Sequence, residues 1–193
     1  MALVEKDIPL SAFERAALEK SSSGAGVIAL PLPLMRWFVL RNIESFRNPK
    51  GITMPLMPEC AHQLVYTRHE ISGEPKPVGI SVCCRAEDEG KGRPLLFFIH
   101  GGGFLGGDSR MNEGLMRYIT DKTGVVTASV DYNVAPEVKH PVPLTDCRRA
   151  LGYVLEHYVI NREKIFLSGD SAGGNLAAGI FEPVKKFAAS PLA

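Results

Sequence analysis

The sequence predicts an α/β fold, with a mostly parallel sheet carrying helices on both faces. Three observations lead there. From Pro94 onward, apolar runs of strand length alternate with longer stretches of helical period. The runs Leu95–Ile99 and Val125–Val130 are apolar or β-branched at nearly every position, which suits strands covered on both faces. Strand, loop and helix then follow one another in the layout of right-handed crossovers.

Each element has its own signal. Leu10–Lys20 fits an amphipathic helix, and the Ser/Gly-rich run from Ser21 to Gly26 reads as a linker. Leu34–Phe46 fits a second helix, stopped by Asn48-Pro49-Lys50-Gly51. Gln63–Arg68 and Val78–Cys84 are strand candidates split by Ser72-Gly73-Glu74-Pro75, and Asp88–Gly92 resembles a hairpin connection. Beyond the strand Leu95–Ile99 come a helix over Asn112–Lys122, the strand Val125–Val130, and a helix over Leu144–Tyr158 with Leu151, Val154, Leu155 and Tyr158 on one face. The short strand Ile165–Leu167 precedes a helix opening at Ala172, which Pro183 should break early. Residues 1–50 thus read as a helical segment and residues 51–193 as an α/β unit.

Composition narrows the function classes. With 22 Lys and Arg against 21 Asp and Glu, the net charge of +1 leaves no electrostatic footprint for nucleic acid. The four cysteines, Cys60, Cys83, Cys84 and Cys147, form no C-x-x-C pair, so neither a disulfide scaffold nor a zinc site is expected. The N-terminus lacks a signal-peptide pattern, and the most apolar stretch, Val27–Leu40, is shorter than the roughly 20 residues a membrane span needs. The expected location is therefore cytoplasmic. A surface contact with a membrane through Leu34, Trp37, Phe38 and Leu40 is a second expectation for that stretch.

Two motifs carry chemistry. Gly169-Asp170-Ser171-Ala172-Gly173 matches G-x-S-x-G between a strand and a helix. Such a turn forces its central residue into a strained backbone and lifts the side chain above the sheet. Ser171 would stand at a helix N-terminus, where amides and the helix dipole favour developing negative charge. His100-Gly101-Gly102-Gly103-Phe104 follows the strand Leu95–Ile99. Successive glycines let backbone N–H groups converge on one point, as an oxyanion requires. Gly102 and Gly103 are assigned as donors, together with the N–H of Ala172. His100 reads as a loop-shaping residue rather than a proton shuttle. A competing reading takes Gly101–Gly106 as a G-x-G-x-x-G dinucleotide fingerprint, with Asp131 at the end of the next strand. Against it, Gly107–Arg110 intervene before any helix, and the serine motif goes unexplained.

A third run, Asp131-Tyr132-Asn133-Val134-Ala135-Pro136-Glu137 with Pro141, Pro143 and Asp146, is by itself a proline-punctuated loop. Together with Phe98–Phe104 and Ser168–Ala178, it resembles signatures of the hormone-sensitive-lipase group of α/β-hydrolases, also called family IV esterases, and within it the arylacetamide-deacetylase-like branch. Asn133-Val134 departs from that group's usual Arg-Leu. The resemblance implies an α/β-hydrolase-type sheet, here its N-terminal half only, preceded by a helical lid over an apolar acyl pocket. It implies a small-molecule ester substrate cleaved by a Ser-His-Asp triad, with Ser171 as nucleophile and no cofactor or metal.

In this fold the acid and base follow the serine along the chain. After Ser171 the sequence reaches Ala193 with no His and no Asp, and with Glu182 as its one acid. None of His62, His69, His100, His140 and His157 lies where the fold delivers a base. We therefore expect an incomplete, spliced or mispredicted chain, or half of a longer enzyme, with little turnover by itself. The alternative class is a non-catalytic relative that binds apolar ligands, or a partner through an open sheet edge.

Overall fold

The structure, a computed structural model, describes residues 32–47 and 59–188. The predicted helix Leu10–Lys20 and its linker lie outside them. Among the described residues, four α-helices and five strands follow in order: α1 (Leu32–Arg47), β1 (Leu64–Ile71), β2 (Val78–Arg85), β3 (Arg93–Ile99), α2 (Glu113–Thr123), β4 (Val126–Asp131), α3 (Val142–His157), β5 (Ile160–Gly169) and α4 (Ala172–Ala188). The sheet order is β1-β2-β4-β3-β5. β1 and β2 run antiparallel to their neighbours, while β4, β3 and β5 are mutually parallel. The alternation of strand and helix thus builds the fold it predicted.

The main core lies between one sheet face and helices α3 and α4. Val78, Ile80, Val82, Leu95, Phe97, Ile99, Ala128 and Val130 meet Ala150, Leu151, Val154, Leu176 and Ile180 there. Each large side chain buried in this way stabilises the fold by about 1.5–3 kcal/mol before entropy is counted. The opposite face is smaller and partly polar, under α2. Thr120 and Thr127 share a hydroxyl contact of 2.9 Å, and Ser81 meets Ser109 at 3.0 Å. Hydroxyls in these strands are tolerated because they are hydrogen-bonded.

Three local expectations change. Asp88–Gly92 is no hairpin: β2 and β3 are separated by β4, so the segment is a crossover. β5 is longer than Ile165–Leu167 because it pairs with β3 back to Ile160, across a register irregularity opposite Arg93 and Leu95. Among the described strands it is an edge, and Phe166 is 54% exposed on it. Helix α4 also runs past Pro183. Proline deprives the carbonyl four residues earlier of its donor. That carbonyl, on Gly179, accepts instead from the Arg148 guanidinium at 3.3 Å.

Helix α1 tolerates Pro33 because it occupies the first turn, where no intrahelical donor is needed. Leu34 is buried while Leu40 is exposed. No helix among the described residues is long and apolar enough to cross a membrane.

Candidate active site

The parallel pair β3–β5 brings the two sequence motifs together. In register, Ile99 stands beside Gly169, so the chain leaves both strands at the same level. One exit is the glycine loop and the other is the serine turn. The first residues of each are then tied: the Gly101 N–H donates to Asp170 Oδ1 at 2.9 Å. A Cβ on Gly101 would lie 2.2 Å from the other Asp170 oxygen, so only glycine fits.

The serine turn has the expected strain. Ser171 has φ +49°, one of two non-glycine residues with positive φ among those described. That region costs an ordinary residue about 1–3 kcal/mol. The turn is held by the Gly173 N–H donating to the Asp170 carbonyl at 2.8 Å, and the Asn175 N–H donating to the Ser171 carbonyl at 3.3 Å. Ser171 is exposed and Ala172 buried at the first position of α4. Gly169 and Gly173 close the turn onto β3. A Cβ on Gly173 would sit 2.0 Å from the Ile99 carbonyl oxygen, and one on Gly169 would meet Gly173 backbone at 2.4 Å.

The glycine loop is strained as well. Gly102, Gly103 and Phe104 have φ of +119°, +62° and +62°. A short turn closes it, with the Leu105 N–H donating to the Gly102 carbonyl at 3.0 Å. The Phe104 carbonyl accepts from Ala135 N–H at 2.7 Å, joining this loop to the loop after β4.

His100 is fully buried and shapes the loop from below. Its Nδ1–H donates to the Gly101 carbonyl at 2.7 Å. Its ring stacks on Tyr132 with centroids 4.3 Å apart, and the Tyr132 hydroxyl donates to the His100 carbonyl at 3.0 Å. Burial lowers the imidazole pKa below its ordinary value, which keeps the ring neutral. The other histidines are engaged elsewhere: His62 with Asp121, His69 between the hydroxyls of Tyr153 and Tyr158, and His157 with the Tyr153 carbonyl. His140 stands on the wall of an apolar cavity of about 320 Å³ that Phe104, Val138, Pro143, Asn175 and Leu176 also line. Asn175 is one helical turn from Ser171. Among the described residues, no histidine hydrogen-bonds to Ser171.

Asp146 is buried and braces the loop after β4, accepting from the Asn133 N–H at 3.0 Å and the Asn133 side-chain amide at 2.9 Å. Here the departure Asn133 has a defined packing role. Asp131 accepts from Arg68 at 2.5 Å and from the Ser109 N–H at 2.5 Å, and α2 opens only at Glu113. A dinucleotide fingerprint needs a helix at the last glycine and an available acid; neither is present here. Sequence reasoning gave Asp170 and Tyr132 no role, although both lie inside quoted motifs.

Comparisons with known proteins agree with this arrangement. A family model for the alpha/beta hydrolase fold matches residues 96–188. Arylacetamide deacetylase of Oryctolagus cuniculus is 40% identical over 98 residues, which are 47% of this chain and 25% of that protein. Hormone-sensitive lipase of Homo sapiens is 36% identical over 95 residues, covering 48% of this chain and 9% of the lipase. A solved structure of a bacterial heroin esterase superposes with TM-score 0.64 at 26% identity, over 83% of this chain and 49% of the esterase. The matched stretch is thus a quarter or less of the two curated relatives. The chain carries the α/β-hydrolase fold and is similar to members of the hormone-sensitive-lipase group.

Proposed function

We propose that this chain carries the nucleophile and oxyanion parts of a serine carboxylic-ester hydrolase. Ser171 Oγ attacks the ester carbonyl carbon, and the N–H groups of Gly102, Gly103 and Ala172 receive the charge that forms on the carbonyl oxygen. The alcohol leaves and an acyl-serine remains, which water then cleaves. The observation that carries this reading is the strained, exposed Ser171 at a helix N-terminus, tied through Asp170 to the first residue of the triple-glycine loop. Such preorganised donors cost no reorganisation when charge develops. The cavity beside Asn175 suits a short apolar arm of the ester. Residues 1–50 serve as the lid segment in this reading, and the related proteins named esterase, lipase and deacetylase support the reaction class.

No described histidine reaches Ser171, so its hydroxyl stays protonated and weakly nucleophilic. In this reading the chain by itself turns over esters barely above background. The oxyanion donors alone retain about 10³–10⁴-fold over water. The test is hydrolysis of p-nitrophenyl acetate and butyrate by wild type and Ser171→Ala. Weak turnover, reduced further in the variant, is expected. Turnover equal in both proteins overturns the nucleophile assignment, and robust turnover lost in Ser171→Ala overturns the missing base.

A further inference from the structure

Helix α1 lies across the catalytic loops, and an ion pair joins it to them. Arg36 donates to the Glu137 carboxylate, joining α1 to the loop that follows β4. Three residues further along α1, Val39 comes within 4.0 Å of the place where a Cβ on Gly103 would stand. The helix also packs against the segment Ser109–Asn112, and Leu34 is buried. Glu137 belongs to the same loop whose Ala135 N–H is bonded to Phe104. The Arg36–Glu137 contact therefore ties the cover to both the glycine loop and the loop lining the apolar cavity.

The geometry points to Arg36 and Glu137 as positioning residues that hold α1 closed over Gly103 and so limit the bulk of the ester admitted to Ser171. This rests on the reading of Ser171 and the glycine loop given above. The two side chains keep 28% and 48% exposure, so the pair is accessible to salt and weak enough to open. Lys76 is the other charge that acts on Glu137. No chemistry passes through either residue; they act by placing Val39.

The chain contains one tryptophan, Trp37, and it lies on α1 next to Arg36. Its emission therefore reports the position of this helix without any need for activity. The experiment compares wild type, Arg36→Glu, Glu137→Arg and the double charge swap. Far-UV circular dichroism checks that each is folded. Each single reversal should lower the docked-to-open ratio by about two- to fivefold, the scale of one exposed ion pair. Trp37 emission should then move to the red and acrylamide quenching should rise. The double swap should restore both, and 0.5 M NaCl should shift wild type toward the single variants. The single variants should also raise the rate at which a bulky p-nitrophenyl phosphonate modifies Ser171, relative to a small one. Unchanged Trp37 signals in the single variants overturn the inference, as does failure of the swap to restore them. Bulk selectivity that stays the same while Trp37 shifts overturns the role in selectivity. If no phosphonate modifies Ser171 in any protein, the nucleophile reading fails while the fluorescence still decides the ion pair.

Discussion

Replacing Gly173 by alanine should separate the two halves of the site. The new Cβ would lie 2.0 Å from the Ile99 carbonyl oxygen and 2.7 Å from that of His100. An ordinary contact begins near 3.4 Å, so the backbones must part by about 1.4 Å. Neither carbonyl can yield easily: Ile99 ends a strand paired on both sides, and the His100 oxygen accepts from Tyr132. The first turn of α4 must therefore recede, taking the Ala172 N–H away from the glycine loop. Overpacking of this kind costs about 1–3 kcal/mol, and the backbone neighbours put it at the upper end. The gain in helix propensity returns about 1 kcal/mol, leaving a net loss of about 2 kcal/mol. A 1 Å misplacement also lowers a rate by about 10²-fold. Two glycines in the same protein are controls. Gly152, inside α3, has nothing within 4 Å, and Gly152→Ala should gain about 0.5–1 kcal/mol. Gly174 has its nearest contact at 3.1 Å and should change little. Urea unfolding gives the stabilities, and phosphonate modification of Ser171 gives the site. A Gly173→Ala protein with wild-type stability and wild-type modification would refute the packing argument.

Other consequences are as direct. Asp146→Ala leaves the backbone and side-chain N–H groups of Asn133 without their buried acceptor and should cost about 3 kcal/mol in urea unfolding. Ellman's reagent should find one fast thiol, Cys60, in the native protein. Cys83, Cys84 and Cys147 are buried, with burial pushing their thiols up (Cys83 to about 11), and they should react only on unfolding. His100 should make stability fall with acid. Its folded pKa is lowered by burial, so its contribution is complete above the unfolded value near 6.5 and is lost as pH falls below it. The slope from this group is at most about 1.4 kcal/mol per pH unit. Urea midpoints from pH 8 to 5 should therefore drop less in a folded His100→Asn variant than in wild type.

The central fold was legible because β3 is a continuous apolar run and β4 is mostly apolar or β-branched, and both alternate with stretches of helical period. The serine turn was legible because its glycines answer a local steric demand, seen in the 2.0 Å gap at Gly173. What the sequence hid was pairing across distance. The bond from Gly101 to Asp170 joins residues 69 positions apart, and no local signal marks Asp170 as its acceptor. β5 looked short because Arg162, Glu163 and Lys164 interrupt its apolar run, yet pairing with β3 extends it back to Ile160. Pro183 looked like a stop because the rescue of Gly179 comes from Arg148 on another helix.

The most direct test of the account is the pH profile of covalent modification by p-nitrophenyl phosphonate, followed by intact mass and peptide mapping. The account predicts one adduct, on Ser171, absent from Ser171→Ala. On the proposed reading, in which no histidine serves Ser171, its rate should rise about tenfold per pH unit from 7 to 9, with solvent hydroxide acting as the base. A folded protein with no adduct at Ser171 contradicts the oxyanion site, and a rate that levels off with a midpoint near 7 contradicts the absence of a histidine base.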